Sequence, residues 1–154
     1  MTAVLVVEDE RVLAAAVEVA IGSQPDMENV RSAGSVGKAL EKMARHVPDV
    51  VLMDIELPDA DGIQGTRRIK ATYPEVSVLI LTEGATPRCL VAAATAGAAG
   101  FLSKDSSFPE IIAAVRNPGE KIVIEGAMLR ALIEECVGGQ PQGGVSAAQP
   151  WLVA

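Results

Sequence analysis

The stretch "VVLMDIELPDADGI", Val50 to Ile63, begins with four apolar residues, reaches a single aspartate at Asp54, and then breaks into Glu56, Pro58, Asp59, Asp61 and Gly62. A short continuous run of β-branched and aliphatic residues bounded by turn chemistry reads as a strand buried on both faces, here Asp49 to Met53. Asp54 therefore stands at the end of a rigid element, and Pro58, Asp61 and Gly62 turn the chain into the next helix. A carboxylate so placed is fixed by a strand and not by a loop.

The same alternation extends in both directions. Further strands are expected over Ala3 to Val7, Glu28 to Ala33, Ser77 to Leu81 and Ala99 to Leu102. Between them, Leu13, Val17, Ala20 and Ile21 recur at helical spacing, as do Val36, Ala39, Leu40, Met43 and Ala44, and Phe108, Ile111, Ile112 and Val115. Each set forms one apolar helix face. Asp9, Ser35, Asp61, Thr86 and Ser107 are expected as N-caps or their neighbours, and Pro25, Pro48 and Pro74 fall where helices must stop. Strands alternating with helices imply right-handed crossovers and a doubly wound parallel α/β sheet.

With 154 residues, the chain can bury one sizeable core. Residues 1–118 are expected to form that domain and 119–137 a connector with an extra helix, marked by Met128, Leu129, Leu132, Ile133 and Cys136. Residues 138–154, rich in Gly, Gln, Pro and Ser, are expected to be a flexible tail.

In a parallel sheet every C-terminal strand end lies on one edge, where such folds bind ligands. That edge should collect Glu8, Asp9, Asp54, Thr82 and Lys104. Each taken singly also fits a cap or a solvated loop residue. Jointly, three carboxylates and one ammonium leave two negative charges, which one divalent cation would neutralise. A hard ion such as Mg2+ prefers oxygen ligands and keeps some of its waters. An ionised aspartate facing that ion, a hydroxyl and an ammonium is suited to attack phosphorus and hold a phosphoryl group as an acyl phosphate.

Composition narrows the partners. A net charge of −7 and a pI near 4.7 repel nucleic-acid phosphates and anionic membranes. The "RRIK" run, Arg67 to Lys70, reads as a solvated helix face, and His46 as a helix-end residue. No apolar run has the length to cross a bilayer, and the start "MTAVLVVED" lacks an export signal, so a cytoplasmic location is expected. Cys89 and Cys136 match no metal spacing and read as buried thiols.

"VLVVEDE", "VVLMDIELPDADGI", "LILTE" and "AGAAGFLSKD", in that order, resemble the motifs of two-component response-regulator receiver domains over about Ala3 to Arg116. "GEKIVIEGAMLRALIEE" is similar to the connector of the NarL/FixJ subfamily. The resemblance implies a flavodoxin-like (βα)5 fold with a five-stranded sheet in the order 2-1-3-4-5, plus a C-terminal linker helix. It implies that Asp54 accepts a phosphoryl group from a sensor histidine kinase, in a signalling protein that catalyses its own phosphorylation and dephosphorylation and is not a conventional enzyme. Mg2+ would be held by Asp9, Asp54 and the backbone carbonyl of Glu56, with Glu8 acting through water. Thr82 would be the switch hydroxyl, Phe101 the switch aromatic and Lys104 the phosphate-binding ammonium.

By the same resemblance, phosphorylation alters the fourth helix (near Pro87 to Ala96), the fifth strand and the fifth helix (near Phe108 to Arg116), and so controls homodimerisation. Some relatives pair instead through the first and fifth helices. Output would be transcription through a LuxR-type helix-turn-helix. Residues 138–154 are too few for that module, so this chain is not expected to contact DNA itself. Asp105 stands where many receivers have proline, and Glu56 and Glu83 add negative charge at the mouth of the site. The competing readings are a degenerate receiver that only binds partners, and a haloacid-dehalogenase-type phosphatase. The DxDxT run of the latter would need Asp and Thr where Glu56 and Pro58 stand.

Overall fold

A computed structural model of the protein describes residues 1–84 and 86–119. The elements follow one another as β1 (Thr2–Val7), α1 (Arg11–Gly22), β2 (Met27–Ala33), α2 (Val36–Arg45), β3 (Val50–Asp54), α3 (Gly62–Thr72), β4 (Ser77–Thr82), α4 (Pro87–Ala96), β5 (Gly100–Ser103) and α5 (Phe108–Arg116). All strand pairs are parallel, in the order β2-β1-β3-β4-β5. This is the flavodoxin-like arrangement expected from the sequence. The connector helix and the tail expected over 119–137 and 138–154, with Cys136, lie outside the described residues beyond Gly119.

The two-residue period of a strand divides the core between the sheet's faces. Leu5, Val7, Val51, Met53, Val78 and Ile80 pack with Ala39, Met43, Ile63, Ile69 and Ala93 of α2, α3 and α4. Val4, Val6, Leu52, Leu79 and Leu81 face the other way, against Val17 and Ile21 of α1 and Ile111 and Val115 of α5. Each such apolar side chain contributes about 1.5–3 kcal/mol on burial, and β3 is buried at all five positions.

Helix starts follow the cap chemistry of the sequence. Ser35, Asp61, Thr86 and Ser107 each accept a hydrogen bond from the backbone N–H three residues on. Asp9 does not cap: the N-cap of α1 is Glu10, whose side chain makes no cap hydrogen bond. Asp9 is thereby left for other work. Gly97 closes α4 in the left-handed region at φ 103°, where a side chain would be strained. Arg116, at the end of α5, forms an ion pair with Asp26 beyond α1, its Nε donating to Oδ2 at 2.8 Å.

The strand bounds differ from expectation by a residue or so at several ends. At β2 the strand starts at Met27, because Met27 is buried against α1's side of the sheet and pairs with Thr2. At β3 the strand includes Asp54, which pairs with Leu81. Among the described residues no helix is long and apolar enough to cross a membrane.

Candidate functional site

Because the strands run in one direction, β1, β3, β4 and β5 deliver their last residues to a common edge. Glu8 follows β1, Asp54 ends β3, Thr82 ends β4 and Lys104 follows β5. Glu8 and Asp54 are 3% and 4% exposed, in contrast to Asp9, which is open to solvent. Burial of two like charges is costly unless a counter-charge lies within reach. Lys104 supplies it: Nζ lies 2.9 Å from Glu8 Oε1 and 3.2 Å from Asp54 Oδ2. Its backbone N–H donates to the Thr82 carbonyl at 2.9 Å, which aligns the end of β5 with the end of β4.

The turn after Asp54 is tight. Gly62 N–H donates to the Ile55 carbonyl at 2.7 Å, and a Cβ at Gly62 would stand 2.0 Å from the Asp54 carbonyl oxygen. Only glycine allows that approach. Glu56 N–H reaches Asp54 Oδ1 at 3.4 Å, a long contact.

Electrostatics follow from this packing. Burial pushes the Asp54 carboxyl up to about 7, with the neighbouring Glu8 adding to the rise and Lys104 opposing it. Burial acts on Glu8 in the same sense, but its hydrogen bonds with Asp54 and Lys104 and the attraction of the ammonium prevail and hold it below the usual carboxylate range. Burial works against the charge on Lys104, and the two carboxylates outweigh it, so the ammonium stays protonated well above its ordinary range. One ammonium does not fully compensate the cluster, and Asp54 bears the deficit.

Glu8, Asp9 and Asp54 each offer a carboxylate oxygen, all within 4.8 Å of one another. Glu8 Oε1 is buried and is met by the Lys104 ammonium at 2.9 Å. All-oxygen donors and excess negative charge fit a hard divalent cation.

Asp54 opens onto two clefts. One, of about 470 Å³, lies between it, Thr82, Thr86 and Lys104, with Glu56 and Glu83 also on its walls. The other, of about 450 Å³, is shared with Asp9, Glu56 and Pro58. Lys104 and the carboxylates of Asp54, Glu56 and Glu83 line both clefts, the threonine hydroxyls belong to the first, and Asp9 to the second. Thr82 is half-buried at the end of β4, and Phe101 is half-buried opposite Ile80, packed on the α4 side of the core. Phe101 lies within β5 and does not line the first cleft. Cys89, a buried free thiol, does line it. Burial pushes that thiol up, which makes it unreactive.

Sequence reading gave no role to Asp59, which accepts hydrogen bonds from α2. Its partners lie 22 and 23 residues away, and no local spacing announces such a contact.

Residues 4–116 match the family model of the response regulator receiver domain. The DNA-binding transcriptional activator DevR/DosR of Mycobacterium tuberculosis is 33% identical over 119 residues, which cover 77% of this chain and 55% of that protein. The oxygen regulatory protein NreC of Staphylococcus haemolyticus is 29% identical over 97% of this chain and 70% of its own. The chain thus spans little more than half of the first relative. Among solved structures, a LuxR-family two-component response regulator from Aurantimonas sp. SI85-9A1 superposes with a TM-score of 0.77 at 25% identity, covering 89% of this chain and 99% of that one. A signal receiver domain described as that of NarL from Mycobacterium tuberculosis gives 0.72 at 31% identity, covering 77% and 96%.

Proposed function

This chain belongs to the response regulator receiver domain family, in its NarL/FixJ-like branch, and we propose that it is a phosphorylatable receiver whose acceptor is Asp54. The observation that carries this reading is the closure of Lys104 on Asp54 at 3.2 Å, beside the Glu8–Asp9–Asp54 oxygen cluster. A degenerate receiver would have no reason to hold two buried carboxylates against one ammonium. Family membership also removes the dehalogenase-type reading.

Asp54 is the nucleophile: its carboxylate oxygen bonds to phosphorus as the donor's phosphorus–nitrogen bond breaks, and the histidine nitrogen of the kinase leaves. Lys104 neutralises one equatorial phosphoryl oxygen. Thr82, lining the same cleft, donates a hydroxyl to another. Mg2+, held by Asp9, Asp54 and the Glu56 carbonyl with Glu8 acting through water, would neutralise the remaining charge and keep Asp54 ionised. Asp9, exposed, and Glu8, buried, then divide the work: the first offers a direct ligand, and the second shapes the field behind it.

The phosphoryl group adds charge that draws Thr82 and the loop after β4 inward, which gives the Phe101 ring room to turn inward. The changed face of α4, β5 and α5 governs pairing of two copies. Relatives named as transcriptional regulators support a transcriptional output, in a cytoplasmic two-component pathway, and the net charge of −7 argues against DNA contact by this domain itself. Phosphotransfer from an autophosphorylated histidine kinase, with Mg2+, tests the reading. Label that hydroxylamine releases is expected, and label that resists it would exclude an acyl phosphate.

A further inference from the structure

We propose that Asp59 is a positioning residue for the cation side of this site, acting through helix α2; the inference rests on the reading of Asp54 as a metal-assisted acceptor. Asp59 sits on the loop between β3 and α3, yet its carboxylate caps a different helix. Oδ1 accepts the Val36 N–H at 3.0 Å and Oδ2 accepts the Gly37 N–H at 2.8 Å. A helix leaves its first amides without internal partners. Asp59 takes two of them, and Ser35 Oγ takes a third, from Lys38, at 3.1 Å. Such carboxylate–amide bonds are charge-assisted and lie at the positive end of the helix dipole. The Gly37 and Val36 amides hold the Asp59 carboxyl below its usual range. A Cβ at Gly37 would stand 3.3 Å from Asp59 Oδ2, so a side chain there would crowd the contact.

The loop is thereby fastened at three points: at Ile55 through Gly62 N–H, at Asp59 through α2, and at Asp61 through its cap on Gln64 N–H. Glu56, Leu57 and Pro58 hang between the first two, and all three line the cleft shared with Asp9 and Asp54. Glu56 would contribute its backbone carbonyl, and a carbonyl can be aimed only by the path of the chain. The Asp59 tether restricts that path. It also commits a further negative charge to α2 and away from the acidic cluster.

Releasing the tether lowers the fraction of time the loop is correctly placed, and apparent affinity falls by the same fraction. The test is calorimetric titration of the metal-free full chain with Mg2+ for wild type, Asp59→Ala, Asp59→Asn and Ser35→Ala. Asp59→Ala should weaken binding roughly three- to tenfold, and Asp59→Asn, which keeps one acceptor oxygen but turns an NH2 toward the other backbone N–H, should recover only part of that loss. Ser35→Ala removes a cap from the same helix without touching the loop and should stay within about twofold of wild type. Equal weakening by Asp59→Ala and Ser35→Ala would assign the effect to helix stability and overturn the proposal, as would an unchanged Asp59→Ala. Wild type that binds no Mg2+ would overturn both this proposal and the metal-assisted reading, whereas normal wild-type binding with an insensitive Asp59→Ala overturns this one alone.

Discussion

The Lys104 ammonium lies 3.2 Å from the buried Asp54 carboxylate, and the same nitrogen lies 2.9 Å from Glu8. One cation serves two acids, so removing it exposes both. Lys104→Met should lower the unfolding free energy of the metal-free protein by about 2–4 kcal/mol, because two buried charges lose their only nearby counter-charge among the described residues. Urea unfolding checks this, and Mg2+ should restore part of the loss.

The raised Asp54 value sets a pH dependence. The carboxyl shifts from 3.8 to about 7 on folding, so between those limits the folded chain keeps a proton that the unfolded chain has released. The stability this contributes is fully present below pH 3.8 and is lost as pH rises through 7. Asp54→Asn removes the penalty. Without divalent cation, the variant should be more stable than wild type by about 1–3 kcal/mol at pH 8 and nearly equal at pH 4, since coupling to Glu8 offsets part of the shift. Parallel stability profiles for the two proteins would contradict this account.

Mg2+ should stabilise wild type by about 1.4 kcal/mol at ten times its Kd, read as a rise in Tm. Asp9→Asn should lose most of that rise. Asp9 is exposed and makes no cap to α1, so the substitution itself should change metal-free stability by less than about 0.5 kcal/mol.

Glu83 and Glu56, both exposed, share the acceptor cleft with Asp54 and Lys104. Their charge repels an anionic phosphodonor, and the effect is screened by salt. Glu83→Ala should speed labelling by acetyl phosphate two- to fivefold, roughly, at low ionic strength and by less at high salt. Equal rates would show that the carboxylate is inert.

The sheet was readable because its strands are continuous apolar runs with period-two packing and its helices carry one apolar stripe each. Convergence of Glu8, Asp54, Thr82 and Lys104 followed from strand direction alone. What was hidden depends on tertiary contact. Asp9 was expected as an N-cap or the neighbour of one, and it is the neighbour: Glu10 takes the N-cap position. Asp59 had no role legible in the sequence, and its reach from the loop after β3 to Val36 and Gly37 at the start of α2 follows from no local pattern. The approach of Lys104 to both Glu8 and Asp54 likewise arises only once the ends of β1, β3, β4 and β5 share one edge of the sheet.

The most direct measurement is the intact mass of the protein after incubation with acetyl phosphate and Mg2+, for wild type and Asp54→Asn in parallel. Wild type should gain the mass of one phosphoryl group, the gain should vanish when Mg2+ is chelated, and Asp54→Asn should show none. A gain of the same size in Asp54→Asn would place the acceptor elsewhere and contradict the account.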